Sequence, residues 1–231
     1  MTRDEAAKPS GAAPDVVVFD FDGTLVSHDS FLNFAVGYCI ARPGRLFLVV
    51  ALLPLALLLA LRSWKSAGSA LLWGMTIGAS TRSFALALIR YARRTLPDYT
   101  NDAIFAELTR HMRAGNRVVI ATGTMPLIVR GLLSARSLAP VPIVGSRVRR
   151  CWGGLVAETH CIGRTKVREL NRKLGILEWS TVYTDSFADR SLLSRARDIT
   201  LVSPSRRTLR RTQRLIDRTT ALRVLRPGSP A

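Results

Sequence analysis

Five short apolar runs decide what this chain can fold into. Residues 16–19, 118–121, 141–144, 181–183 and 199–202 are rich in Val, Ile or Thr and carry no charge. Runs that short and continuous predict strands buried on both faces, as in a parallel sheet. Helix-like stretches lie between and after them at 103–113, 127–136, 167–174 and 206–218, the first and third stopped by Gly115 and Gly175. Strands alternating with helices predict a Rossmann-like, doubly wound α/β sheet. Residues 149–159, with Gly153-Gly154 in the middle, predict a small hairpin.

The alternation disappears between about residues 30 and 99, where the chain is helix-like, apolar and studded with Arg. This predicts an inserted helical cap at 30–99, a core formed by 15–29 and 100–226, and a floppy leader over 1–14. The leader holds Asp4 and Glu5 and no apolar stretch, so no signal peptide is expected there. A length of 231 residues suits one compact domain with an inserted module.

Charge narrows the partners. Lys and Arg total 34 against 16 Asp and Glu, a formal net of +18. Such a surplus points to an anionic membrane face, a nucleic acid or a phosphorylated substrate. The basic stretch 190–226 lacks aromatic interleaving and any nucleic-acid-binding module, so nucleic acid is not expected. Leu209, Leu215, Ile216 and Leu222 punctuate it, which suits a last helix with one face on the core and one on anionic head groups. No obligate protein partner is evident. Cys39, Cys151 and Cys161 have no CxxC spacing, and an odd count gives no disulfide framework. His28, His111 and His160 show no metal-ligand spacing.

Polar residues gather where the predicted strands end. The first strand runs into Asp20-Phe21-Asp22-Gly23-Thr24, the second into Thr122-Gly123-Thr124, and the fourth reaches Asp185 and then Asp189. In an open parallel sheet, reactive groups sit at the carboxyl ends of the strands. Thr122 and nearby amides, ahead of Pro126, make a corner suited to phosphate. Lys166 opens another helix and supplies a cation to the same edge.

These four ordered motifs, DFDGT, ATGT, Lys166 and TDSFAD, resemble the haloacid dehalogenase superfamily of phosphohydrolases. The position of the insertion resembles the phosphoserine-phosphatase branch. Residues 71–78 (LLWGMTIG) and 161–166 (CIGRTK) are similar to the phosphatidylglycerophosphatase C family of bacterial inner-membrane lipid phosphatases. The resemblance implies that Asp20 is the nucleophile and that Asp22 is the general acid and base. It implies Mg²⁺ held by Asp20, Asp185 and the Asp22 backbone carbonyl. Thr122, Gly123 and Lys166 would bind the phosphoryl group, and Asp29 would contact the substrate or pair with a cap arginine. Two roles are open to Asp189: orienting Lys166, or orienting a metal-bound water.

The resemblance also implies a lipid phosphate substrate, phosphatidylglycerophosphate, at the bacterial cytoplasmic membrane with the core facing the cytoplasm. A soluble small-molecule phosphatase and a non-catalytic basic binding protein are the alternatives. Residues 46–61 form an uncharged apolar run interrupted only by Pro54. As a helix it would reach about 24 Å, short of the roughly 30 Å hydrocarbon core. Asp20 precedes this run while Thr122, Lys166 and Asp185 follow it, so a single complete crossing would divide the site. The expected arrangement is a hairpin dipped into one leaflet with Pro54 at or near its bend, set against a two-crossing arrangement or the buried helix of a soluble cap.

Overall fold

The computed structural model describes residues 14–217 and 219–226. In chain order the elements are β1 (Val16–Phe19), α1 (Ser30–Ile40), α2 (Pro43–Ala51), α3 (Leu53–Ala60), α4 (Trp64–Thr76), α5 (Thr81–Arg94) and α6 (Asp102–Arg113). There follow β2 (Arg117–Ala121), α7 (Pro126–Ala135), β3 (Ile143–Val144), β4 (Arg147–Cys151), β5 (Gly154–Thr159), α8 (Arg164–Leu174) and β6 (Trp179–Thr184). The chain closes with α9 (Arg190–Leu193), β7 (Ala196–Val202), α10 (Arg206–Leu215) and β8 (Ala221–Leu225). The leader expected over 1–14 falls outside the described residues except for Pro14.

Six strands form one parallel sheet in the order β3-β2-β1-β6-β7-β8. The chain reverses direction across β1, so the doubly wound fold is present and its crevice opens at the end of β1. Apolar side chains alternate between two cores. Val17, Phe19, Val118 and Ile120 join Ile104, Leu108, Ile128 and Leu132 of α6 and α7 on one face. Val18, Val119 and Ala121 join Leu170 of α8 and Leu192 of α9 on the other. Burial on both sides is why these strands read as unbroken apolar runs.

The sheet has a sixth strand where a longer last helix was expected. Helix α10 stops at Leu215, Ile216 turns extended, and residues 221–225 add the edge strand β8. Leu209, Ile216 and Leu222 pack on the core, whereas Leu215 is exposed. The expected hairpin is formed by β4 and β5, which turn at Trp152-Gly153, both at positive φ.

Helices α1–α5 fill the inserted segment. Helix α4 lies along the hairpin: Leu155 N donates to Thr76 Oγ1 at 2.8 Å, Ala157 N donates to Ser69 Oγ at 3.1 Å, and Trp73 Nε1 donates to Trp152 O at 3.1 Å. These bonds cover an edge of β5 that would otherwise stay open. The apolar run 46–61 is not one helix. Pro54 has no N–H to continue the ladder, and the helix breaks at Leu52 into α2 and α3, both packed on α4. A sharp turn of 117° falls earlier, between α1 and α2. Among the described residues no single helix is long and apolar enough to cross a membrane; α1 with α2 qualifies only as a bent pair.

Candidate active site

Asp20 closes β1 and is locked at its backbone, where its N–H donates to Tyr183 O at 2.8 Å. Its Oδ1 accepts from Phe21 N at 2.8 Å and from Lys166 Nζ at 2.7 Å. Lys166, from the first turn of α8, is 3 % exposed and also donates to Asp189 Oδ2 at 2.8 Å. Thr184 Oγ1 donates to the same Asp189 oxygen at 3.0 Å. Burial works against the ammonium, but the two carboxylates outweigh it and raise its pKa. Burial also raises Asp20, with Lys166 opposing. Of the two roles open to Asp189, the contacts favour orienting Lys166.

Asp22 lies two residues on, at the start of the turn. Its Oδ1 accepts from Ser30 N, at the first turn of α1, at 2.8 Å. Burial pushes its pKa up to about 6, against the Ser30 hydrogen bonds and helped by the Asp29 charge. Ser30 was not anticipated from sequence. It is fully buried, and its Oγ donates to Thr124 Oγ1 at 3.3 Å. Its only signal was a hydroxyl at the head of a helix. Asp29 is exposed and caps α1 by accepting from Leu32 N at 2.8 Å, so the structure does not bring it to Lys166.

Gly23, at φ +74°, turns the chain beneath Asp185. A Cβ there would stand 2.4 Å from Asp185 Oδ2, so only glycine lets this carboxylate settle against the loop after Asp20. Burial raises the pKa of Asp185.

Thr122 and Gly123 end β2. Thr122 Oγ1 accepts from Thr124 N at 3.0 Å, and the Thr122 N–H is spent on Val144 O at 2.8 Å. Ser146 pins this corner to the approach to α8: its Oγ donates to Gly123 O at 2.6 Å and accepts from Cys161 N at 2.9 Å. Ser146 was also missed, since nothing in its neighbourhood marks a two-way clamp. His111 is buried beneath the sheet against Tyr183 Oη at 3.0 Å and Asn116 Nδ2 at 3.0 Å, away from this edge. Among the described residues no three His, Cys, Asp or Glu side chains gather as a metal site. The expected metal set needs two carboxylates and a carbonyl.

Beside Asp185 a cavity of about 710 Å³ opens between α8, α9 and α10. Arg164, Arg190, Arg207 and Arg211 line it with Ser186 and Thr208, and no carboxylate among the described residues does. It contains none of Asp20, Asp22 and Lys166. A second cavity of about 520 Å³ shares Arg164 and Arg190 and continues the trough past Arg168 and Arg195.

A family model described as haloacid dehalogenase-like hydrolase matches residues 17–194, the span that holds Asp20, Asp22, Thr122, Lys166, Asp185 and Asp189. The chain belongs to the haloacid dehalogenase-like hydrolases. Among solved structures, a protein of unknown function from Bordetella pertussis Tohama I is similar with a TM-score of 0.69 at 18% identity, covering 91% of this chain and 99% of that one. A phosphoserine phosphohydrolase-like protein from Francisella tularensis has a TM-score of 0.59 at 13% identity, covering 91% and 94%. A phosphoserine phosphatase in apo form has 0.55 at 14%, covering 91% and 94%. At these identities the likeness establishes the fold that the haloacid dehalogenase-like hydrolases share. Family and fold together support a phosphatase.

Proposed function

We propose that this hydrolase cleaves phosphate monoesters through an aspartyl-phosphate on Asp20. The observation that carries this is the polarity of the Asp20 carboxylate. Lys166 and Phe21 N hold Oδ1, and no hydrogen bond to Oδ2 is found among the described residues, which leaves it for attack on phosphorus. The new Oδ2–P bond forms as the ester P–O bond breaks, and Asp22 hands its proton to the departing oxygen. The Asp22 carboxylate then takes a proton from a water that attacks phosphorus, which releases phosphate and restores Asp20. A pKa of about 6 suits a group that must work in both forms.

The donor set fits Mg²⁺. Asp20 follows β1 and Asp185 follows its neighbour β6, Lys166 is already shared between Asp20 and Asp189, and Asp185 is seated against Gly23 in the loop after Asp20. Hard carboxylate and carbonyl oxygens are what Mg²⁺ takes. Held by Asp20, Asp185 and the Asp22 carbonyl, it would supply the countercharge that lets an anionic nucleophile meet an anionic phosphate.

Phosphatidylglycerophosphate at the cytoplasmic face of a bacterial membrane is the substrate we favour. Its support is the outer surface of the cap. Leu32, Val36 and Ile40 face outward along α1, and Phe47, Leu57, Leu58 and Leu61 along α2, α3 and the residue after it, with Phe47 76% and Leu61 85% exposed. An apolar surface of this extent fits a membrane contact. The arginine trough suits anionic head groups. A soluble phosphatase for a small ester such as phosphoserine is the second reading, favoured by the fold neighbours. Activity on phosphatidylglycerophosphate in mixed micelles, measured beside phosphoserine, separates them. Faster turnover of phosphoserine, with recovery in the soluble fraction without detergent, overturns the lipid reading.

A further inference from the structure

A narrow slot of about 110 Å³ runs between the cap and the core. Its inner end is Gly123 and Thr124, the corner beside Thr122. Its walls are Phe31 of α1, Leu72 and Gly68 of α4, Met125 ahead of α7 and Val148 of β4. Trp64 stands at its outer end, 79% exposed. Trp64, Gly68 and Leu72 are spaced by four residues and therefore share one face of α4. The cations on the rim are already committed: Lys65 Nζ donates to Glu158 O at 2.8 Å, and Arg147 pairs with Glu158 and Glu169. What remains is a largely apolar slot that leaves the phosphate corner between Phe31, Leu72 and Met125 and includes the exposed Trp64 in its lining.

Gly68 is where the passage stays open. A Cβ placed there meets no atom within 4 Å, so nothing in the packing of α4 demands glycine. In a helix interior glycine is less favourable than alanine, and here it keeps one turn of α4 bare where the slot passes.

We propose that this slot seats the hydrocarbon chain of the substrate, so that the enzyme selects amphiphiles: phosphate at Asp20, an alkyl or acyl chain leading past Gly68 and Trp64 to the apolar cap surface. This deepens the phosphatase reading and rests on it. A chain in such a slot gains transition-state binding with each buried methylene, about threefold to fourfold apiece, until the slot is full.

The test uses soluble monoalkyl phosphates of increasing chain length, kept below their micellar concentrations so that no membrane takes part. In the unaltered protein kcat/KM climbs with chain length and then levels. In Gly68→Phe the ring fills the slot and the climb is lost, lowering the long-chain to short-chain ratio of kcat/KM at least tenfold. The ratio is taken on one sample, so a partly folded variant does not disturb it. Gly68→Leu gives an intermediate slope. A climb that survives Gly68→Phe places the chain elsewhere and overturns the slot. A flat series in the unaltered protein overturns it too, while leaving phosphomonoesterase activity standing. Failure to hydrolyse any of the esters overturns the phosphatase reading itself.

Discussion

Lys166 Nζ lies 2.7 Å from Asp20 Oδ1 across 146 residues of chain, and Asp189 Oδ2 holds the same ammonium at 2.8 Å. The lysine thus occupies one oxygen of the Asp20 carboxylate and leaves the other, the one proposed to attack phosphorus. Asp20→Asn removes the attacking oxygen and is expected to lower kcat on the order of 10⁴-fold or more. Retention of full activity would refute an aspartyl-phosphate on this residue.

Asp189 acts through Lys166, so its loss has its own signature. Asp189→Asn keeps the shape but removes one of the two carboxylates that raise the lysine pKa. Activity is expected to fall about 10- to 100-fold, the usual scale for a residue that orients a reacting group. The alkaline limb of the pH–rate profile also moves to lower pH. A loss of rate with an unmoved limb would assign Asp189 to folding alone.

Asp22 sets activity against stability. Its pKa rises from the ordinary 3.8 to about 6 in the folded protein, chiefly through burial. The folded state therefore binds more protons than the unfolded chain between those values, and stability declines as pH climbs from about 4 through 6. Asp22→Asn removes that decline. In EDTA, its unfolding free energy relative to the parent is expected to grow by about 2 kcal/mol between pH 4 and pH 8, while turnover is lost. Parallel stability curves would contradict the buried carboxylate.

Much of this edge was legible because chemistry and topology coincide there. Asp20, Thr122 and Asp185 each follow an apolar run, and Lys166 opens a helix, so strand order alone brings them together. Ser30 and Ser146 were not legible, since their value lies in contacts across 94 residues to Thr124 and 23 residues to Gly123. Strand β8 escaped because an edge strand needs little apolar content, and Arg223 interrupts its run. Pro54 marked a break in 46–61, but the side on which each half packs depends on α4, which no local signal specifies. The arginine trough draws on three helices separated in sequence, so composition announced its charge and not its shape.

Gly23 ties the loop to Asp185. Gly23→Ala forces a Cβ to 2.4 Å from Asp185 Oδ2 at a backbone φ of +74°. Displacing that carboxylate is expected to raise the Mg²⁺ concentration for half-maximal activity about 10- to 100-fold, with a stability loss of about 1–3 kcal/mol from the strained backbone. Calorimetry of Mg²⁺ binding checks the first effect independently of turnover. Unchanged Mg²⁺ affinity would remove Asp185 from the metal set.

The arginine trough can be weighed against the apolar cap. Arg207 and Arg211 sit one turn apart on α10 and line the cavity beside Ser186, with no carboxylate among the described residues lining it beside them. Each basic residue near an anionic bilayer contributes about 1 kcal/mol. Arg207→Ala with Arg211→Ala is therefore expected to weaken binding to vesicles containing phosphatidylglycerol by about 2 kcal/mol, roughly 30-fold. It should leave binding to neutral phosphatidylcholine vesicles unchanged, since that binding would draw on the leucines of α3. Raising salt should shrink the difference between parent and variant, because screening weakens the exposed charges and not the apolar contact. Equal loss on both vesicle types would mean that the arginines serve the fold rather than the membrane surface.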